Sequence, residues 1–174
     1  MKFFSKISVL FILLLAGWLI NSCSISYGFQ NRSQIDYSKV SSISIKDFPN
    51  VAPLVYAPLS QQFTEALRDK FTRQTKLRVI REGGDLDLEG EIRSYSFTPM
   101  AVTDDAYASQ TRLTVSINVR YTNNTNPEDF LERTFSAYQE FPNTSTIPDV
   151  QDDLCRLIIE EIVDVIFNET VAKW

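Results

Sequence analysis

The hydrophobic and polar positions change period along the chain, and each change marks an element. Ile7 to Ile20 is almost wholly apolar, follows Lys2 and Lys6, and ends just ahead of Cys23. A charged start and an apolar run too short for a span read as an export signal over residues 1–22. From Cys23 to residue 38 the chain is rich in Ser, Asn, Gln and Tyr without periodicity, which predicts a flexible tether ahead of a single domain at 39–174. Val40, Ser42 and Ser44 then alternate with Ser41, Ile43 and Ile45, predicting a β-branched strand of about eight residues that ends at Asp47. Pro49, Pro53 and Pro58 each withhold a backbone donor, so the segment holding them is expected as an ordered loop or edge.

Pro58 suits a first helical turn, and Leu59, Phe63, Ala66, Leu67 and Phe71 follow at helical spacing. They predict one apolar stripe on a helix of roughly four turns. Lys70 falls on that stripe, where a lysine either snorkels to water or reaches a ligand. Leu77 to Arg81 reads as a second strand, and the strand–helix–strand order predicts parallel pairing through a right-handed crossover. After the Gly83-Gly84 turn, Leu86, Leu88, Gly90 and Ile92 share one parity while Asp85, Asp87, Glu89 and Glu91 share the other. The apolar parity then moves to Tyr95 and Phe97, which predicts a bulge or twist past Arg93. Thr98 to Gln110 is expected as a mobile loop.

The clearest strand alternates Leu113, Val115, Ile117, Val119 and Tyr121 with polar neighbours. Its partner across the Asn123–Pro127 turn runs from Phe130 to Phe141, with Leu131, Phe135, Ala137 and Phe141 on one face. The final helix is built on Val150, Leu154, Leu157, Ile158, Ile162, Val165 and Ile166, with Asp149, Asp152 and Asp153 at its positive end. Two amphipathic helices and strands that each need one covered face predict an α+β two-layer sandwich. Both helices then pack on one face of a four- or five-stranded mixed sheet.

Chemistry begins at Cys23. In Leu19-Ile20-Asn21-Ser22-Cys23 a branched aliphatic stands three residues ahead of the cysteine and a small residue just ahead of it, the pattern of bacterial lipoprotein maturation. Acyl chains on that thiol, at about 0.8 kcal/mol per buried methylene, would hold the protein on a bilayer. An ordinary signal peptide or a single-span anchor with an incidental cysteine is the alternative. Lys and Arg number 17 against 22 Asp and Glu, and loss of Lys2 and Lys6 with the signal deepens the imbalance, which argues against nucleic acid as a partner. There is no histidine, which removes most catalytic triads and the commonest zinc sites. Cys155 is the one other cysteine and sits in an apolar helical stripe, as a small core residue would. No segment matches a phosphate loop, a nucleophile elbow or a dinucleotide fingerprint, so no catalytic residue, metal or cofactor is assigned.

Charge marks one candidate region. Arg68, Lys70, Arg73, Lys76, Arg78 and Arg81 face only Asp69 within their stretch, while the helix from Asp149 to Glu169 holds seven acids against Arg156. Such a basic end either meets an anionic partner, such as the phosphates of a glycolipid, or is a solvated helix terminus. Asp85, Asp87, Glu89 and Glu91 are a glycosidase pair or metal cradle on one reading and a solvated outer face on the other.

The residues also resemble a family. Ile43-x-Ile45-x-x-Phe48-x-Asn50, Leu59-Ser60-x-x-Phe63-Thr64-Glu65-Ala66-Leu67-Arg68-Asp69-Lys70-Phe71, Gly84-Asp85-Leu86 and Glu89-Gly90-x-Ile92-x-x-Tyr95 are similar to the LptE lipopolysaccharide-assembly lipoproteins of Bacteroides-like bacteria. Arg112-Leu113-Thr114-Val115, Val119-x-Tyr121-x-Asn123, Phe135-Ser136, Ile166-Phe167 and Trp174 fit as well. The resemblance implies a non-enzymatic outer-membrane lipoprotein, anchored through acylated Cys23 on the periplasmic face. It would plug and help assemble a large β-barrel of the LptD type and aid lipopolysaccharide insertion at the cell surface. It also implies two helices on a four-stranded sheet, with lipopolysaccharide met by basic residues near strand ends and loops. The cluster from Arg68 to Arg81 rests on charge alone. A periplasmic hydrolase or carbohydrate-binding lipoprotein using Asp85, Asp87, Glu89 and Glu91, or a scaffold of another envelope machine, is the second reading.

Overall fold

The computed structural model describes residues 35–100 and 109–172. The signal run, Cys23, most of the expected tether, the interior of the Thr98–Gln110 loop and Trp174 lie outside the described residues. The elements run β1 (Ser42–Ile45), α1 (Ala57–Gln74), β2 (Arg78–Ile80), β3 (Leu86–Pro99), β4 (Gln110–Asn123), β5 (Phe130–Pro142) and α2 (Ile147–Thr170). One five-stranded sheet has the order β2-β1-β3-β4-β5. β1 is parallel to both β2 and β3, and the β3–β4 and β4–β5 pairs are antiparallel. The chain thus folds as the α+β two-layer sandwich that its periodicity implies, with two helices on a five-stranded mixed sheet.

β1 is only four residues long, half the expected length. The line of pairing nevertheless continues through the proline segment: Lys46 N donates to Leu88 O at 3.1 Å, Ile92 N to Pro49 O at 2.9 Å and Val51 N to Ile92 O at 3.0 Å. Phe48 lies in this stretch fully buried, and its N–H donates to Thr64 Oγ1 on α1 at 3.1 Å. Gly90 makes room for that ring, since a Cβ there would stand 2.6 Å from Phe48 Cε1 and 2.0 Å from Asn118 O. The parity change in β3 is a register shift between Ile92 and Ser94, and it carries Tyr95 back to the covered face.

α1 buries Leu59, Phe63, Leu67 and Phe71 as its spacing dictates. α2 departs from expectation. It buries Leu154, Cys155, Ile158, Ile159, Ile162, Val163, Ile166 and Phe167, but Leu157 and Val165 are each 41% exposed. Hydrophobicity on both sides of the stripe hides which side meets the sheet, and packing against α1 through Ile159 and Val163 decides it. The helices run with the same polarity. Tyr56, which precedes α1, hydrogen-bonds Asp152 near the start of α2, and Phe71 meets Phe167 edge-on at 5.2 Å near the two ends.

Candidate functional site

The six cations between Arg68 and Arg81 divide into two sets. Arg68 donates to Ile45 O at 2.7 Å and to Asp47 at 2.9 Å, tying α1 to the end of β1. Lys70 reaches across to α2, with Nζ 2.7 Å from Asp164 and 5.4 Å from the Phe167 ring centre. Arg73 pairs with Asp69 one turn back at 2.6 Å. The side chains of Lys76, Arg78 and Arg81 are exposed and hold no ion pair or hydrogen bond among the described residues. Arg78 opens β2, the three-residue edge of the sheet, with Lys76 before it and Arg81 after it. The candidate anion-binding set therefore resolves into three structural cations and three uncommitted ones.

Lys70 and Arg73 also line a groove of about 570 Å³ between the helices, over a floor of Ala66, Ile159 and Val163. Asp152, Asp153, Arg156, Glu160 and Asp164 form its other rim. Acids outnumber bases there, and Arg156 pairs with Asp153 at 3.0 Å. The groove thus has a mostly acidic rim, and among the described residues the cations without a carboxylate partner lie at the β2 edge instead. Sequence reasoning did not find the groove, because only the parallel helix pair creates it.

Of the four carboxylates, Glu89 and Glu91 line a shallow depression of about 350 Å³ together with Lys46, Arg93, Arg120 and Glu132, while Asp85 and Asp87 lie outside it. Asp85 lies ahead of β3 and accepts from Ser41 N at 2.8 Å, the Ser41 hydroxyl at 3.0 Å and the Ser42 hydroxyl at 3.0 Å. These hydrogen bonds, led by the Ser41 backbone donor, hold its pKa below the usual carboxylate value. Asp87 bonds Ser44 and Asn124. Glu89 pairs with Lys46 at 2.6 Å and Arg120 at 3.5 Å, and Glu91 with Arg93 at 2.7 Å. The partners respond: Lys46 is held above its ordinary value by the hydrogen bond to Glu89, and Arg120 by that to Glu132. Each of the four carboxylates is thus committed to hydrogen bonds or ion pairs with neighbours on the sheet. Among the described residues no cluster of three or more metal-ligating side chains occurs, and no helix is long and apolar enough to cross a membrane.

Cys155 is fully buried, and burial pushes its thiol up to about 11. Burial likewise raises the Tyr95 phenol, with Cys155 adding to the rise.

Residues 40–170 match the family described as LptE, lipopolysaccharide-assembly. Among solved structures, a protein from Xanthomonas campestris is 16% identical, with 77% of this chain and 86% of that chain covered and a TM-score of 0.56. A hypothetical protein from Chlamydia trachomatis is 13% identical, with 77% and 99% covered and a TM-score of 0.51. At those identities the likeness is one of fold. No curated protein matches in sequence.

Proposed function

The chain belongs to the LptE lipopolysaccharide-assembly family, and from that membership we propose that it is the lipoprotein subunit of a lipopolysaccharide translocon in the outer membrane. It is held on the periplasmic face by acylated Cys23. There it plugs and helps assemble a large β-barrel partner of the LptD type and, without catalysis of its own, aids delivery of lipopolysaccharide to the surface. The observation that carries this reading is the family match over residues 40–170, which runs through all five strands and both helices.

Lipopolysaccharide contact falls to Lys76, Arg78 and Arg81. Phosphate recognition needs cations whose donors are not already spent, and these three supply them. Arg68, Lys70 and Arg73 have a supporting part, since each already holds a carboxylate. This reading gives the carboxylates from Asp85 to Glu91 no part in lipopolysaccharide contact.

Affinity purification of the tagged full chain from detergent-solubilised envelopes tests the reading. A large outer-membrane barrel in stoichiometric amount is the expected companion, and recovery without one overturns the proposal. Cys23→Ser should move the protein from the membrane to the soluble fraction; retention in the membrane would remove the lipid anchor from the account.

A further inference from the structure

The two edges of the sheet differ in kind. β2 offers three residues, whereas β5 offers thirteen, paired to β4 without a bulge from Gln110–Pro142 to Thr122–Phe130. No proline interrupts β5 before Pro142. Natural sheets blunt exposed edges with prolines, bulges, shortness or charge; β5 has none of the first three, and its acids Glu132 and Glu140 are each paired with an arginine of β4.

The direction of its backbone groups follows from the two ends of the ladder. Asn143 N donates to Ser109 O at 3.1 Å, and Asn123 N to Asp129 O at 3.1 Å. Both are hydrogen-bonded pairs in the same unbroken register, and such pairs recur every second residue. Odd-numbered residues of β5 thus turn their N–H and C=O groups to β4. Glu132, Thr134, Ser136, Tyr138 and Glu140 turn theirs outward.

A shelf overhangs this edge. Leu157, Glu161, Val165 and Glu169 follow at intervals of four and form one ridge of α2. Glu169 fixes the ridge to the β5 side, with its carboxylate 3.5 Å from Arg133. Leu157 and Val165 are the exposed pair that the core does not take, and Glu161 stands exposed between them without an ion pair among the described residues.

We infer that β5 is the docking edge for a sixth strand: an extended segment of a different protein with alternating apolar and polar residues and a basic residue among the apolar ones. Its backbone completes the outward ladder, its apolar side chains cover Leu157 and Val165, and its cation meets Glu161. Charge argues against a second copy of this chain as occupant. Antiparallel pairing of β5 with itself would bring together two α2 helices that each hold seven acids against one arginine.

The test places a photocrosslinking amino acid at Thr134, Ser136 and Tyr138 in turn in the full-length chain, in intact cells, with Thr114 inside the sheet as control. Captured residues should advance two positions at a time along one segment of one foreign protein, with nothing captured from Thr114. Thr134→Pro removes an outward N–H and no β4 bond, so it should cut capture at Ser136 and Tyr138 by about tenfold. Leu157→Glu with Val165→Glu, both on the exposed shelf, should do the same while leaving the fold intact. No capture, capture without the two-residue step, capture of this chain's own β5, or capture that survives both variants overturns the inference.

Discussion

At Gly90 a missing side chain decides how the proline segment lies on the sheet. A Cβ there meets both the Asn118 carbonyl and the Phe48 ring, and neither can give way inside a paired strand and a packed core. Gly90→Ala should therefore destabilise the fold by about 1–3 kcal/mol in urea unfolding. Gly83→Ala, at φ +72° with open space around it, should lose only about 1 kcal/mol. Asp85 gives the second residue-scale prediction. Its folded-state pKa lies below the ordinary value of 3.8, so its contribution is present above that value and fades as pH falls through the folded-state pKa. Asp85→Asn should lower the unfolding midpoint at neutral pH and leave it unchanged in strong acid. An equal loss at both would make the effect steric and not electrostatic. Cys155 behaves in the opposite sense. A thiol raised from 9.0 to about 11 adds stability below its unfolded-state value that is lost as pH rises through the folded one. Its alkylation should accordingly be slow in the native state and follow unfolding.

Elements are joined by a few contacts that span long stretches of sequence. α1 and α2 are clasped by the Tyr56–Asp152 hydrogen bond at one end and by Lys70–Asp164 with Phe71–Phe167 at the other. Lys70 is 21% exposed in this pair, so Lys70→Ala should destabilise by about 1 kcal/mol or a little more. Arg73→Ala, whose side chain is 74% exposed in a one-turn pair, should lose about 0.3–0.5 kcal/mol or less. Equal losses in denaturant titrations would mean that the clasp adds nothing beyond a surface ion pair. The periodicity of each helix is plain in the sequence. Their mutual polarity and the side of α2 left to solvent are not, because both depend on which apolar flank finds the neighbouring helix.

Across the whole molecule, exposed charges without an ion pair among the described residues stand near both edges of the sheet, with Glu82 beside Arg81 at the β2 edge. Uncommitted cations gather at the β2 edge, while α2 keeps an exposed acid, Glu161, near the β5 edge. Lys76→Ala, Arg78→Ala and Arg81→Ala together should weaken lipopolysaccharide binding by about tenfold or more at low salt, with the difference shrinking as salt is raised. Stability should be unaffected, since the three side chains make no contacts of their own kind to lose. Unchanged binding in that variant, measured on immobilised lipopolysaccharide, would remove the β2 edge from the proposed function.

Local chemistry carried much of this protein in one dimension. The period of each segment dictated two helices and the strands, the parity change past Arg93 dictated the bulge, and the proline spacing dictated an ordered crossing between β1 and α1. Those features depend on neighbours a few residues apart, where side-chain direction follows the backbone period. Partnership was decided only by the tertiary structure, because it depends on which distant segments meet. Folding assigned Asp164 to Lys70 and Asp47 to Arg68 while leaving Lys76, Arg78 and Arg81 free. It also turned Leu157 and Val165 to solvent beside the outer edge of β5, which has no strand partner among the described residues.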